Sequence, residues 1–157
     1  MNILFLTTAH NSLSQRLSIE LTERGHAITV AIADSETAML DAVARSTPDL
    51  IVAPMLKAAV PEAIWRRRVC LIVHPGIVGD RGPSSLDWAI QDGETRWGVT
   101  VLQAVAEMDA GPIWASHEFP LPAVGDAKGS LYRNAVTEAA VCGVLEAVEK
   151  FGSSLYQ

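Results

Sequence analysis

At 157 residues the chain has the length of one domain with a full hydrophobic core. Its net charge of −6 leaves no electrostatic footprint for nucleic acid. No run of residues is long and apolar enough to span a membrane, and Cys70 and Cys142 lack the spacing of a metal site or a disulfide framework.

Apolar residues make up 49% of the chain and charged residues 19%. That balance fits two situations about equally: a sheet buried on both faces, or an apolar surface that meets a partner. The opening run Met1–Leu6 is too short for a signal sequence and has no basic region before it, so the cytoplasm is the expected location.

In chain order, Asn2–Thr8 has the continuous apolar pattern of a buried parallel strand. Ser12 and Gln15 have capping-box spacing and open a helix to about Arg24, with Leu13, Leu17 and Leu21 inward and Gly25 as its stop. Residues 27–33 form a second strand, and 36–45 a helix with Met39, Leu40 and Val43 inward. A third strand, 50–53, stops at Pro54; Pro61 starts a short helix to Trp65, and 69–73 is the fourth strand. The run Arg66-Arg67-Arg68 between them reads as a solvated helix end in preference to an anion site. Strands alternating with helices at this spacing predict a three-layer α/β, Rossmann-like domain over 1–157 with a mostly parallel twisted sheet.

The second half differs. Pro83 marks a helix start before Leu86, Trp88, Ala89 and Ile90. Residues 98–104 and 113–119 are strands separated by a turn at Asp109, too close for a crossover, so one antiparallel strand is expected. Residues 131–151 form a long helix whose exposed side is a candidate interface.

Two breaks carry chemistry. His74 follows an apolar run, and Asp109 precedes Gly111-Pro112; both fall where strands end, the place where open α/β sheets keep their sites. Alone, a histidine at a strand end most often bonds backbone, and Asp before Gly is a common turn residue. Together, with Arg81-Gly82 between them, they point to acid–base chemistry on a carbonyl.

Five segments in order, Val73-His74-Pro75, Arg81-Gly82, Ala89-Ile90, Trp97-Gly98-Val99-Thr100-Val101 and Met108-Asp109-Ala110-Gly111-Pro112, resemble the core of the formyltetrahydrofolate-dependent formyltransferases. Within that superfamily, residues 11–17, 73–90 and 131–140 are similar to the N-terminal domain of the nickel–iron hydrogenase maturation factors of the HypX/HoxX type. The resemblance implies 10-formyltetrahydrofolate as formyl donor and a tetrahedral, oxyanionic adduct, with His74 and Asp109 as the catalytic pair. It implies folate contacts from Met55, Leu56, Lys57, Ala59, Ile72, Val73 and Glu107, mostly through backbone. Trp88 and Trp97 are read as core packing.

Two departures stand out. The family motif Asn-x-His has Ile72 in place of the Asn, removing an amide donor to the formyl oxygen. Gln15, Arg81 and Ser84 are the candidate oxyanion or acceptor contacts, although Gln15 also suits capping, Arg81 loop-holding and Ser84 a helix cap. The loop from His74 to Arg81 is also one residue shorter than the family pattern. The loop Ala9-His10-Asn11-Ser12 lacks the glycines that cradle a phosphoribosyl acceptor in related enzymes. The resemblance implies coenzyme A as acceptor, as the first step of carbon monoxide synthesis for the hydrogenase. It also implies a C-terminal enoyl-CoA-hydratase-like domain. The alternatives are an amine acceptor, such as a nucleotide sugar or an aminoacyl-tRNA, or a folate-binding module without catalysis.

Overall fold

The computed structural model describes residues 1–79, 96–121 and 130–154, with side chains from 134 onward in the last segment. The helix expected after Pro83, with Arg81, Ser84 and Trp88, lies outside the described residues. The elements are β1 (Asn2–Thr7), α1 (Ser12–Glu23), β2 (Ala27–Ile32), α2 (Glu36–Ser46), β3 (Leu50–Ala53), α3 (Glu62–Trp65), β4 (Cys70–His74), β5 (Arg96–Gln103), β6 (Ile113–Pro120) and α4 (Ser130–Ser154).

The strands form one six-stranded sheet in the order β2-β1-β3-β4-β5-β6. β1 to β4 pair in parallel, and β5 runs antiparallel to both β4 and β6. The single reversed strand is the expected one. It follows from the short β5–β6 connection, which has no room for a crossover helix.

Alternation along each strand feeds two cores. Ile3, Phe5, Val52, Leu71, Val99 and Val101 meet Leu13, Leu17 and Leu21 of α1 and Val144 and Val148 of α4. Leu4, Leu6, Ile51, Ala53 and Cys70 meet Met39 of α2 and Ile64 of α3 on the other face. The central strands are buried on both faces, which is why they read as unbroken apolar runs.

Two expectations are corrected. The cap of α1 is Asn11, whose side chain accepts from the Ser14 N–H at 3.0 Å, so Ser12 is already the first helical residue. Leu40 is 37% exposed, because the inward stripe of α2 is centred on Met39 with Ala42 and Val43 beside it. Among the described side chains of α4, those of Asn134, Glu138, Cys142, Glu149, Lys150, Ser153 and Ser154 are exposed.

Candidate active site

β1, β3 and β4 end at the same edge of the sheet, and His74 is the last residue of β4. Cys70, Ile72 and His74 alternate onto the α2–α3 face. In the antiparallel register His74 lies opposite Thr100 of β5. The chain turns at once, with the Gly76 N–H donating back to the His74 carbonyl at 2.8 Å. β5 then holds this turn: Thr100 Oγ1 donates to the Gly76 carbonyl at 2.7 Å, and Trp97 Nε1 to the Pro75 carbonyl at 3.0 Å.

After β5 the chain reverses through residues 104–112. The Ala104 N–H donates to the Cys70 carbonyl and the Gln103 N–H to the Pro112 carbonyl, both at 2.8 Å. Asp109 sits inside that reversal with φ 54°, a left-handed backbone that Asp tolerates better than most residues. Its Oδ2 lies 3.4 Å from His74 Nδ1, with the two side chains 10% and 4% exposed. A carboxylate against Nδ1 orients the ring and stabilises the charge that develops when Nε2 takes a proton. The two residues far apart in sequence therefore meet at the sheet edge.

The Thr100 hydroxyl is buried. Thr100→Val keeps the shape of the side chain and deletes its donor, leaving the Gly76 carbonyl without it. A loss of about 1–3 kcal/mol is expected, read by urea unfolding, together with lower turnover. Unchanged stability would show that the hydroxyl does not hold the turn.

The loop after β3 flanks this edge. It is tied to the end of β1 by the Thr8 N–H and Thr7 Oγ1, which donate to the Met55 carbonyl at 2.7 and 3.1 Å, and by the Lys57 N–H, which donates to Thr8 Oγ1 at 3.0 Å. Asn11 Nδ2 donates to Met55 Sδ at 2.9 Å. Leu56, Ala58, Val60 and Ile72 are half-buried against the α2–α3 core, while Met55, Lys57 and Ala59 are exposed. Among the described residues, the backbone groups of Leu56 and of Ala58 to Val60 make no internal hydrogen bond. Val73 points to the opposite core, so its side chain faces away from His74. Glu107 is exposed in the turn before Asp109.

Gln15 is exposed on the first turn of α1, where its Nε2 donates to the His10 carbonyl at 2.9 Å. Ser12 is therefore not its capping partner. His10 Nδ1 lies 2.8 Å from Ser14 Oγ, which donates to the Asn11 carbonyl at 3.1 Å.

The other reactive groups lie elsewhere. Burial pushes the Cys70 thiol up to about 12, too high for a nucleophile. Arg66 pairs with Glu62 and lies over the Trp65 ring, and Arg68 donates to the Pro48 carbonyl, so the basic run is mostly committed to structure. Among the described residues, no cluster of three or more potential ligands could hold a metal, and no helix is long and apolar enough to cross a membrane. Sequence reasoning missed Trp97 and Thr100 as holders of the histidine turn. The one available signal was a threonine inside an otherwise apolar strand.

Residues 26–148 match the family model described as Formyl transferase. The hydrogenase maturation factor HoxX of Bradyrhizobium diazoefficiens is 52% identical over 148 residues, covering 94% of this chain and 26% of that protein. The crystal structure of HypX from Aquifex aeolicus in complex with tetrahydrofolic acid superimposes with a TM-score of 0.91 at 50% identity, over 96% of this chain and 26% of that one. Glycinamide ribonucleotide transformylase 1 from Symbiobacterium toebii, 17% identical, shares the fold with a TM-score of 0.84 over 98% of this chain and 88% of that one. The chain spans about a quarter of the length of the HoxX and HypX proteins.

Proposed function

The chain belongs to the formyl transferase family as a homologue of HoxX and HypX, and from that premise we propose that it binds 10-formyltetrahydrofolate and transfers the formyl group to coenzyme A. The observation that carries the reading is the buried His74–Asp109 pair at the end of β4. The product serves carbon monoxide synthesis for a hydrogenase, completed by an enoyl-CoA-hydratase-like domain of a longer protein. The tetrahydrofolic acid complex of HypX supports the donor.

The residues present fit a folate. Leu56, Ala58 and Ile72 offer half-buried apolar surface. The uncommitted backbone groups of Leu56 and of Ala58 to Val60 offer donors and acceptors to a flat ring. Lys57 is exposed beside them for the anionic tail.

In the reaction the acceptor sulfur forms a bond to the formyl carbon, and His74 Nε2 takes the thiol proton. The carbon–N10 bond then breaks, and the same proton passes to N10 as tetrahydrofolate leaves. Asp109 holds the imidazole in position for both transfers. Ile72 supplies no donor to the oxyanion, so that charge falls to His74 in its protonated form and to groups other than a position-72 amide.

Gln15 is assigned to the acceptor side, where its bond to the His10 carbonyl sets the loop after β1. Gln15→Ala is expected to raise the KM for coenzyme A several-fold while kcat stays within about twofold. A drop in kcat of about a hundredfold at constant KM would instead make Gln15 the oxyanion donor.

The direct test is to incubate the protein with 10-formyltetrahydrofolate and coenzyme A and follow tetrahydrofolate and formyl-CoA together. Turnover that His74→Ala abolishes, with folate binding retained, is the expected result. Tight folate binding with no turnover would identify a binding module, and an amine outperforming coenzyme A would identify another transferase.

A further inference from the structure

We infer that Trp97 is a positioning residue for His74, acting from the face of the sheet opposite the reaction; the inference rests on the acid–base role proposed for His74. Three observations converge on the turn His74-Pro75-Gly76. The Gly76 N–H closes it onto the His74 carbonyl. Thr100, which lies opposite His74 in the register, donates to the Gly76 carbonyl from the α2–α3 face. Trp97 belongs to the α1–α4 core with Val99 and Val101, and its indole N–H reaches the Pro75 carbonyl from that other face.

Two consecutive carbonyls after His74 are thus held from opposite faces by side chains of one strand. A single tether would leave the turn a hinge about that bond. Two tethers on opposite sides remove the rotation that would swing the imidazole out of line with Asp109. Alignment matters here because His74 Nδ1 and Asp109 Oδ2 lie 3.4 Å apart, so a small roll of the ring changes how closely the carboxylate faces Nδ1. Misplacement by about 1 Å of a group in a reacting constellation typically costs on the order of a hundredfold.

Trp97 is also fixed at its base. It is 6% exposed and pairs with Phe119 of β6, so the N–H is presented by a rigid ring. The ring supplies packing, and its one polar atom finds a partner in the Pro75 carbonyl, a contribution separable from the packing. Trp97 lies on the wrong face to touch substrate, so any effect on turnover must pass through the turn.

The experiment compares Trp97→Phe with Val148→Ala, which thins the same core without touching the turn. Trp97→Phe is expected to lower kcat roughly tenfold, with the KM for 10-formyltetrahydrofolate within about twofold. The imidazole nitrogen resonances of His74, assigned with His74→Asn, should move. Val148→Ala should lower the melting temperature and leave kcat and those resonances in place. If Trp97→Phe fails to fold, benzothienylalanine at position 97 removes only the N–H and is read the same way.

An unchanged kcat, unmoved His74 resonances, or an equal kcat loss in Val148→Ala would each overturn the inference. Normal turnover in His74→Asn would overturn the acid–base reading itself, whatever Trp97→Phe does. An inactive His74→Asn beside a fully active Trp97→Phe would remove only the positioning role.

Discussion

Asp109→Asn is expected to lower kcat for formyl transfer by about 10²–10⁴-fold, while folding and folate affinity stay close to those of the parent protein. The substitution separates charge from backbone. Asp109 has φ 54°, a region Asn enters as readily as Asp, so the turn loses nothing conformational. Asn is also the same size, so the 10% exposed position remains filled. What disappears is the negative charge beside His74 Nδ1, and with it the stabilisation of the imidazolium formed when Nε2 takes a proton. Asp109→Ala would confound this, because alanine is strained at positive φ. Single-turnover rates with 10-formyltetrahydrofolate, set against tetrahydrofolate binding measured by calorimetry, check the prediction. Near-parental kcat in Asp109→Asn would show that the carboxylate is a turn residue and nothing more.

The architecture was legible wherever one physical cause dominated. β1, β3 and β4 are buried on both faces, so their unbroken apolar runs could hardly be anything else. The reversal of β5 followed from the length of its connection to β6. Caps and facing were less legible, because neighbouring residues compete for the same role. Asn11 and Ser12 both suit a helix cap, and only the bond from the Ser14 N–H selects Asn11. Leu40 is one position from Met39, and a rotation of about 100° per residue carries it off the inward stripe.

The site divides the same way. His74 and Asp109 were identifiable as a pair through motif order, yet their contact depends on β5 running backward beside β4, a tertiary fact. Trp97 is a core residue, as its apolar neighbours in the strand predict. Its second role lies in the direction of one N–H toward the Pro75 carbonyl, which no periodicity encodes. Gln15 suits a capping box by its spacing from Ser12, yet its partner is the backbone carbonyl of His10, two residues before the helix, which spacing alone does not single out.

The steepest structural effect is expected at Gly111, two residues after Asp109. A Cβ built there falls well inside the contact radius of the Gln103 carbonyl oxygen, 2.9 Å from its carbon and 3.3 Å from Val105 Cγ1. The obstacle is backbone of β5, which cannot step aside as a flexible side chain would. It is also pinned, since the Gln103 N–H donates to the Pro112 carbonyl on the far side of the same turn. Gly111→Ala must therefore push the turn away from β5, opening the Gln103–Pro112 bond and carrying Asp109 off His74. A stability loss of roughly 3–5 kcal/mol is expected from the combined overpacking and lost hydrogen bond, read as a lower urea midpoint. Turnover in the folded fraction should fall at least as far as in Asp109→Asn, because the carboxylate is displaced and not merely neutralised. Gly25→Ala provides the contrast. That glycine caps α1 with φ 94° and nothing within 4 Å of its Cβ, so its cost is conformational strain of about 1 kcal/mol. It lies at the opposite end of the strands, at the start of β2, and should leave kcat untouched. Equal effects of the two substitutions on kcat would mean that the Asp109 turn does not need its close approach to β5 in order to place the carboxylate.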